Sequence, residues 1–484
     1  MKTTLMRALF VSAFLIFSII AVGQDVNWSY KMDSAAVFSS PRFADLNKDG
    51  VLDVVVGAGN ENYAIKHGIV AIDGKTGEVL WSYSTRSQIY TSAIFQDING
   101  DGHPDVFIAG RNAQLYAIDG KTGMLIWQFW SGTYKEARAA NYHNFYVTQF
   151  LEDQNKDGIK DLLVSNGGDA YILPNDTNRP RGKIMMICGA TGKTIAQDEL
   201  PHHRETYYAP HIYYKNGKKK PMVIYASGGE TIDGCLWEVS LKNLRKEKLK
   251  KSKVILKDTV KGFIVNSVLA DLNHDGTHDI INTRLNSILT AVDGKSGDEL
   301  WEHLFPGYEC YVAPTVGHFV GDDTPDIFIT IAKGAYPNYA SFDQLVIDGS
   351  TGEIVSRTSN GIYQFASALA VDINGDGWDE IIYNENKIDV ETHATTNQFR
   401  IIDLHNDTSE FIGERRTGTC FSSTPGIVDL DGDGKLELVF AYSNSLNSEE
   451  NYSVIECIKT EYSVDYISFP GYLGRNENGL FEGR

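Results

Sequence analysis

Six short segments of the chain carry acidic and amide side chains at the spacing of a calcium-binding loop. The first, FADLNKDGVLDVVVG (residues 43–57), has a glycine, Gly50, where the chain must turn sharply. Calcium takes six to eight oxygen ligands at roughly 2.3–2.6 Å, and alternate residues of a tight turn can point their oxygens at one ion while the Val51 carbonyl fills a gap. The last oxygen stands at the ninth position before a Val-rich strand, which argues against an EF-hand, whose last ligand is the twelfth residue, between two helices. The side-chain oxygens of this first loop belong to Asp45, Asn47, Asp49 and Asp53.

The same nine-residue pattern recurs five times, which predicts about six Ca²⁺ sites. The further sets are Asp97, Asn99, Asp101 and Asp105; Asp153, Asn155, Asp157 and Asp161; Asp271, Asn273, Asp275 and Asp279; Asp372, Asn374, Asp376 and Glu380; and Asp429, Asp431, Asp433 and Glu437. Without metal, neighbouring carboxylates about 4 Å apart repel by roughly 4 kcal/mol per pair at an effective dielectric near 20. The loops are therefore expected to need cations to stay folded.

Two degenerate copies fill the gaps in this series. One, APTVGHFVGDDTPDIFI, keeps only Asp322 and Asp326 of the carboxylates. The other, APHIYYKNGKKKPMVIY, has Lys218 and Lys219 where carboxylates belong, and we interpret these lysines as replacing the charge of the ion. Neither copy is expected to hold calcium well.

The loops are positioned by a second repeated signature, a strand, a Gly-rich turn and another strand, which is typical of a β-hairpin. It occurs as AIDGKTGEVLW (71–81), AIDGKTGMLIW (117–127), CGATGKTI (188–195), VDGKSGDELW (292–301) and IDGSTGEIV (347–355). One unit is then four strands joined by the calcium loop, a variable loop and the DGKTG turn, with a period of roughly 50 to 60 residues. Such a repeat predicts an all-β fold, a β-propeller with four-stranded antiparallel blades.

Counting complete and degenerate loops gives eight blades, with seven as the alternative if a degenerate unit is an insertion. The N-terminal segment NWSY (27–30) resembles LWSY (80–83), a fourth strand, yet has no blade of its own. We therefore predict that this strand completes the last blade and closes the ring, which leaves no open sheet edge. Residues 24–484 form a single propeller domain in this interpretation.

The first 23 residues have the layout of a cleaved signal peptide, with Lys2 and Arg7 before an apolar run, residues 8–22. That run is shorter than the roughly 20 residues of a membrane span, and no later segment is apolar enough to be one. We expect a secreted, periplasmic or cell-envelope protein, soluble and monomeric after cleavage. The net charge of −19 argues against a nucleic-acid partner, which needs a basic surface. The five cysteines show no CxxC spacing and are expected to be mostly small buried hydrophobic residues.

The loops resemble the FG-GAP/VCBS repeats of integrin-α-type propellers, and the DGKTG hairpins resemble the repeats of quinoprotein (PQQ) propellers. The first resemblance implies that the loop residues given above are the metal ligands. Quinoprotein dehydrogenases use adjacent cysteines that form a ring above the quinone, and no two cysteines are adjacent here. A PQQ-dependent dehydrogenase is therefore the least favoured function.

Loop length indicates where a ligand would bind. The calcium and DGKTG turns lie on one face of a propeller, whereas the long, variable loops lie on the opposite face, over blades two to four in particular, and long loops on a rigid scaffold are where binding usually occurs. These loops carry side chains that could bind a sugar or an acidic ligand, or could pair with one another and order the loops. The candidates are Arg138, Tyr142, His143, Asp169, Arg179, His202, His203, Arg204, Glu205, Glu230 and Asp233.

The sequence favours a binding or scaffolding module for a carbohydrate or a protein, and leaves catalysis undecided. No GxSxG, HExxH or phosphate-binding GxxxxGK[ST] motif is present. The alternative from another class is a polysaccharide-active enzyme such as a lyase. Lyase chemistry needs a basic group beside a neutralised uronate carboxylate, for which the clustered candidates are His202, His203, Arg204 and Lys215.

Overall fold

The computed structural model contains eight four-stranded antiparallel sheets, which are the eight blades of a β-propeller. It describes residues 26–61, 63–169, 171–173, 176, 178–215, 220–392, 394–444 and 451–483. From the innermost strand outward, blade 1 contains Arg42–Ala44, Asp53–Gly57, Ile65–Ile72 and Val79–Thr85; blade 2 Ile94–Gln96, Asp105–Gly110, Gln114–Ile118 and Leu125–Gln128; blade 3 Asn144–Leu151, Asp161–Gly167, Lys183–Ile187 and Thr194–Glu199; and blade 4 His211–Lys215, Lys220–Ala226, Gly234–Ser240 and Lys253–Asp258.

The second half of the ring repeats this order, so the prediction of eight blades is confirmed. Blade 5 contains Val268–Ala270, Asp279–Thr283, Ile288–Val292 and Glu299–Leu304; blade 6 Thr315–Gly317, Asp326–Ala335, Asn338–Ile347 and Ile354–Ser359, with the short strand Tyr308–Glu309 also paired to Asp326–Ala335; blade 7 Leu369–Val371, Glu380–Ile388, Thr395–Asp403 and Thr408–Thr417; and blade 8 Gly426–Val428, Glu437–Ser443, Tyr452–Lys459 and Val26–Asp33. The helices described are the short segments Tyr134–Ala139, Leu241–Leu244 and the 3₁₀ turn Leu249–Lys251.

The N-terminal strand closes the ring, as predicted. Val26–Asp33 pairs antiparallel with Tyr452–Lys459 as the outer strand of blade 8. The indole N–H of Trp28 then donates 2.7 Å to the Gly74 carbonyl in the DGKTG turn of blade 1. Trp81, Trp127 and Trp301 make the equivalent bond to the next blade along the chain. The outer-strand tryptophan is thus a repeated latch between neighbouring blades, and Trp28 provides the latch across the seam.

The core lies between the blades rather than at the centre of the ring. All five residues of the second strand of blade 1, Asp53–Gly57, are buried, because this strand is covered by neighbouring blades on both sides. Strands buried on both faces read as continuous apolar runs instead of alternating ones. This is why the calcium loops are followed by Val-rich or Ile-rich stretches.

The C-terminal tail lies in the central channel over residues 469–480, a feature that no repeat in the sequence predicts. Phe469 bridges to Ala370 of blade 7, and the Ile427 N–H of blade 8 donates 2.9 Å to the Pro470 carbonyl. Further along, Leu480 bridges to Leu269 of blade 5. Because these partners belong to innermost strands, the C-terminal tail fills the channel between them.

Two predictions from the sequence fall outside the described residues: the signal peptide of residues 1–23, and Lys218 and Lys219 of the fourth unit. Within the part of the chain that the structure covers, no helix has the length and apolarity that a membrane crossing requires. The cysteines Cys188, Cys235, Cys310, Cys420 and Cys457 are all buried and unpaired, as expected of small hydrophobic residues.

Candidate functional site

The predicted calcium loops lie on the face that carries the short turns. In the first loop the Asp45 carboxylate accepts the backbone N–H groups of Asp49 and Gly50 at 3.2 and 3.1 Å. The Asn47 and Asp49 side chains accept the N–H groups two residues further on, both at 2.9 Å. Each side chain therefore folds back over the turn, which gathers the polar side chains around one point.

In five of the loops the ninth residue has a second task, which is to join the two turns of its blade. Asp53 is fully buried, accepts the Leu46 N–H at 2.9 Å and accepts the Gly74 N–H of the DGKTG turn at 3.3 Å. Burial raises its pKa to about 6. Asp326 of the degenerate sixth loop makes the same bond to Gly349, and burial raises its pKa to about 7. The ninth carboxylate is therefore retained in a loop where Asp322 is the only other carboxylate of the pattern that remains.

Three loops bring acidic or thiol ligand atoms within 4.8 Å of one another in the described residues. The groups are Asp157, Asp161 and Cys188; Asp376, Glu380 and Asp403; and Asp429, Asp431 and Glu437. Carboxylate and amide oxygens are hard ligands that suit Ca²⁺. The donor set of the loops therefore fits the predicted ion, and the ligands would be the loop residues given above.

The eighth loop differs because a lysine at the end of the strand Tyr452–Lys459 contacts its carboxylates. The Lys459 ammonium donates to Asp433 at 2.5 Å and to Asp431 at 3.2 Å, and it lies 3.7 Å from Glu437. The residue at the same place in blade 1 is Asp73, since Ile72 and Ile458 occupy equivalent pairing positions. The eighth loop thus brings its own positive charge to the carboxylates.

The long-loop face opens into a central cavity of about 630 Å³. Its walls come from all eight blades, and Tyr472 of the C-terminal tail contributes as well. A volume between about 300 and 1,000 Å³ is typical of small-molecule sites. This face is therefore a pocket, not a flat platform.

One residue from each blade lines the mouth of the cavity. In blades 1, 2, 3, 5, 6 and 7 it stands seven residues before the first loop position, counted back from Asp326 in blade 6, whereas in blade 8 Phe421 stands eight residues before Asp429. In blade 4 the equivalent residue follows from the shared Ala-Pro that aligns it with blade 6. Seven of the eight are aromatic and the blade 5 residue is isoleucine. We name this set the collar: Phe38, Tyr90, Tyr146, Tyr207, Ile264, Tyr311, Phe365 and Phe421.

The collar is nearly continuous. From blade 2 through blades 1, 8 and 7 to blade 6, adjacent ring centroids lie between 5.0 and 5.9 Å apart. Tyr146 and Tyr207 of blades 3 and 4 form a second group, 6.2 Å apart. Edge-to-face aromatic pairs at these distances are favourable, so the collar is held in shape by its own contacts.

Ion pairs surround the collar. The Arg111 guanidinium donates to the Tyr90 hydroxyl at 2.5 Å and to Glu61 at 2.7 Å. Arg179 donates to Glu205 at 3.1 Å and to the Tyr207 hydroxyl at 3.2 Å. Each arginine thus anchors a collar tyrosine and is itself neutralised by a carboxylate.

Below the collar, Arg42 ties the tail to blade 1. It donates to the Tyr472 carbonyl at 2.8 Å and lies 3.3 Å from Glu477. Burial lowers the pKa of Arg42 and raises that of Glu477. The tail is therefore the floor of the cavity, held by a buried ion pair.

Of the ligand-face candidates predicted from the sequence, the structure places four on the cavity wall: Asp169, Arg179, Glu205 and Glu230. Arg138 and His143 lie just behind, in the loop insertion of blade 3. Arg138 pairs with Asp169, and the Tyr134 hydroxyl donates to Asp169 at 3.2 Å while lying 3.3 Å from His143 Nδ1. Burial lowers the pKa of His143 to about 4, which keeps the imidazole neutral. This group orders the loop insertion.

The other candidates do not line the cavity. Tyr142 donates to Gln197 at 3.3 Å, and the Lys183 ammonium lies 4.3 Å from its ring centroid. His202 and Arg204 both contact Asp233, at 3.4 and 2.8 Å. His203 adopts a left-handed backbone conformation at the turn, with φ of 54°.

Sequence reasoning missed the collar itself, together with Arg42 and Arg111. The sequence does contain a signal that identifies the collar, because an aromatic residue stands at a constant distance before nearly every loop. Aromatic side chains at this spacing form no known metal-binding or catalytic motif, so these positions carry no functional signature of that kind.

Comparison with known proteins identifies the repeat type and the fold. Residues 50–212 match the family model PQQ_2, described as outer membrane protein assembly factor BamB. This agrees with the quinoprotein-type resemblance of the DGKTG hairpins, whereas the comparisons give no support to the FG-GAP/VCBS resemblance of the loops. No curated protein matches the chain.

Three similar solved structures have unrelated activities. A quinohemoprotein alcohol dehydrogenase from Pseudomonas putida HK5 is 11% identical, with a TM-score of 0.57 and coverage of 92% of this chain and 77% of that one. Saccharomyces cerevisiae Sqt1 is 8% identical, with a TM-score of 0.55 and coverage of 91% and 100%. The exotype rhamnogalacturonan lyase YesX is 12% identical, with a TM-score of 0.52 and coverage of 90% and 74%. At such identities the likeness concerns the fold alone, and function has to be argued from the site.

Proposed function

We propose that this protein is an exported binding module that holds a carbohydrate ligand in its central cavity. The observation that carries the proposal is the collar, since equivalent positions of all eight blades supply the mouth of one cavity and seven of them are aromatic. Aromatic faces pack against the apolar C–H face of a sugar ring. The neighbouring carboxylates and arginines provide acceptors and donors for its hydroxyl groups.

We also propose that the acidic loops bind calcium and thereby stabilise the ring. The oxygen donor set supports this, and the eighth loop is expected to be the weakest of the six because Lys459 already neutralises it. The ions belong to the face opposite the cavity, so their role is structural. An envelope or periplasmic setting is supported by the signal-like N-terminus and by the match of residues 50–212 to an outer membrane assembly family.

The alternative of a polysaccharide lyase receives less support. Its proposed basic cluster is not at the cavity, because His202 and Arg204 contact Asp233, and Lys215 pairs with Glu238 at 2.8 Å on the sheet of blade 4. A dehydrogenase function would have to be proposed from the fold alone. The cavity therefore favours binding over these chemistries.

The test is a calorimetric titration with a panel of neutral, acidic and amino oligosaccharides. We expect at least one class to bind, and we expect the double variant Tyr311→Ala, Phe365→Ala to weaken that binding at least 10-fold. These two rings touch, with centroids 5.5 Å apart, so the pair opens one side of the collar. Trp378→Ala is the matched control, because Trp378 stacks on His405 beside the calcium loop of blade 7, on the opposite face.

Two results would contradict the proposal. One is that no oligosaccharide of the panel binds. The other is that the collar variant, with an unchanged circular dichroism spectrum, binds its ligand as tightly as the Trp378 control.

A further inference from the structure

One part of the cavity wall carries an unbalanced negative charge. Three carboxylates belong to this part of the structure: Glu205 and Glu230 line the cavity, and Glu309 lies in the short strand Tyr308–Glu309 of blade 6. Arg179 neutralises Glu205 at 3.1 Å, and Lys261 pairs with Glu309. No cation of the described residues lies within ion-pairing distance of Glu230.

Glu230 is an exposed residue and has no hydrogen bond to any described residue, whereas the neighbouring carboxylates Glu205 and Glu309 each accept from a donor. Glu309, for example, accepts from the Tyr339 hydroxyl at 2.8 Å and from the Tyr336 N–H at 2.9 Å. An ionised carboxylate offers about four acceptor positions. Those of Glu230 face the cavity that its residue lines.

Aromatic groups stand beside this carboxylate. Tyr207 and Tyr311 line the same cavity as Glu230, and a Cβ atom placed on the neighbouring Gly229 would lie 3.2 Å from the Tyr207 ring. Tyr207 is the collar residue of blade 4, whose loop also carries Glu230, and Tyr336 lines the same cavity with 65% of its surface exposed. Between Tyr207 of blade 4 and Tyr311 of blade 6, the collar has its single aliphatic position, Ile264 of blade 5.

A carboxylate among aromatic faces is the arrangement that selects a cation. The negative face of an aromatic ring attracts an ammonium group, by about 0.5–1 kcal/mol at exposed sites and about 2 kcal/mol or more when water is excluded. A neutral hydroxyl would satisfy one acceptor of Glu230 but would leave its charge uncompensated inside the occupied cavity.

We propose that the ligand carries an ammonium group, which binds between Glu230 and the collar tyrosines Tyr207 and Tyr311. This inference rests on the proposed carbohydrate function and narrows it to amino sugars with a free amine. The arginines of the cavity would not oppose such a ligand, because each is already paired with a carboxylate.

The experiment compares two tetrasaccharides of equal length, one of glucosamine and one of N-acetylglucosamine, by calorimetric titration at a mildly acidic pH, at which the glucosamine amines are protonated. Acetylation removes the charge and keeps the sugar backbone. We expect the free amine to bind at least 10-fold more tightly to the unmodified protein. We expect Glu230→Gln, which keeps the shape of the side chain, to remove most of that preference.

Glu78→Gln is the matched control. It removes one negative charge from an exposed position in the DGKTG turn on the opposite face, and so separates a local effect from that of net charge. The preference for the free amine should stay unchanged in this variant.

The outcomes distinguish this inference from the proposed function. If the acetylated tetramer binds as tightly as the amine and depends on the collar, the carbohydrate proposal stands and the ammonium inference is wrong. If neither sugar binds but tetramethylammonium binds in a Glu230-dependent manner, the ammonium inference stands and the carbohydrate proposal is wrong. If none of the three binds, both are wrong.

Discussion

The two faces of this propeller are built from the same eight repeats by opposite means. On the short-turn face five blades join their two turns through a ninth-position carboxylate such as Asp53, and four blades are latched to the next one by a tryptophan such as Trp28. On the long-loop face the loops differ in length and chemistry, and only the collar position repeats. The repetition supplies a rigid frame, and the variation supplies a site with one acidic side and one aromatic side.

Removing calcium is expected to have the largest effect on stability. It should also distinguish the two faces, because it acts on the loops of the short-turn face and not on the cavity. Ions that bind only the folded state stabilise it by mass action, by about 2.7 kcal/mol per site at a hundredfold excess over Kd. With several sites, EDTA should lower the melting temperature by about 10 °C or more. Differential scanning calorimetry measures this change.

The cavity should respond differently to the same treatment. Well below the melting temperature, ligand affinity should be little changed by EDTA, because the loops lie on the other face. Excess calcium should restore the melting temperature. An unchanged melt in EDTA would count against the metal assignment.

The second prediction concerns the C-terminal tail, which lies between the faces. His211 of blade 4 is fully buried, and its Nδ1 lies 2.9 Å from the Asn478 carbonyl of the tail. Burial lowers its pKa to about 4, from about 6.5 in the unfolded chain. The unfolded state therefore binds the proton more readily, so stability is lost as the pH falls from about 6.5 to about 4, by about 3 kcal/mol in total.

Urea denaturation across this pH range tests the prediction. His211→Gln should be less stable at neutral pH but should show a smaller loss on acidification than the unmodified protein. His405→Gln, at an exposed position on the short-turn face, should keep the full loss. Equal pH slopes for the His211 variant and the unmodified protein would exclude this role.

The same comparison explains how far the sequence could be interpreted. Repeated motifs are visible in a sequence. The eight blades, the DGKTG hairpins and the closing strand Val26–Asp33 could therefore be predicted from them. The cavity is made by residues far apart in the sequence. Loop length identified the face on which it opens, but only four of the candidate residues predicted for that face line the cavity. The tail gave no signal because its pairing with Ala370 and Leu269 is short and has no repeat.

The third prediction concerns a difference between two loops of the short-turn face, those of blades 1 and 8. Lys459 occupies the place that Asp73 holds in blade 1, and its contact with the loop carboxylates raises its pKa. Lys459→Gln should remove the built-in charge and add one strong calcium site in a titration of the metal-free protein. Lys435→Gln is the control, since Lys435 pairs with Glu461 at 3.0 Å. An unchanged number of strong sites in the Lys459 variant would show that the lysine does not compete with the ion.

The smallest expected effect comes from one substitution on the long-loop face that would make every collar residue aromatic. Ile264 is the single aliphatic member of the collar, so Ile264→Phe would complete the aromatic series. One added aromatic contact is worth about 0.5–1.5 kcal/mol, which corresponds to roughly a 2- to 10-fold gain in affinity for a ligand that packs against the collar. Ile264→Leu keeps the volume without the aromatic face and should leave the affinity unchanged. If the phenylalanine and leucine variants bind equally well, the collar acts as a hydrophobic rim and its aromatic character is not what the ligand recognises.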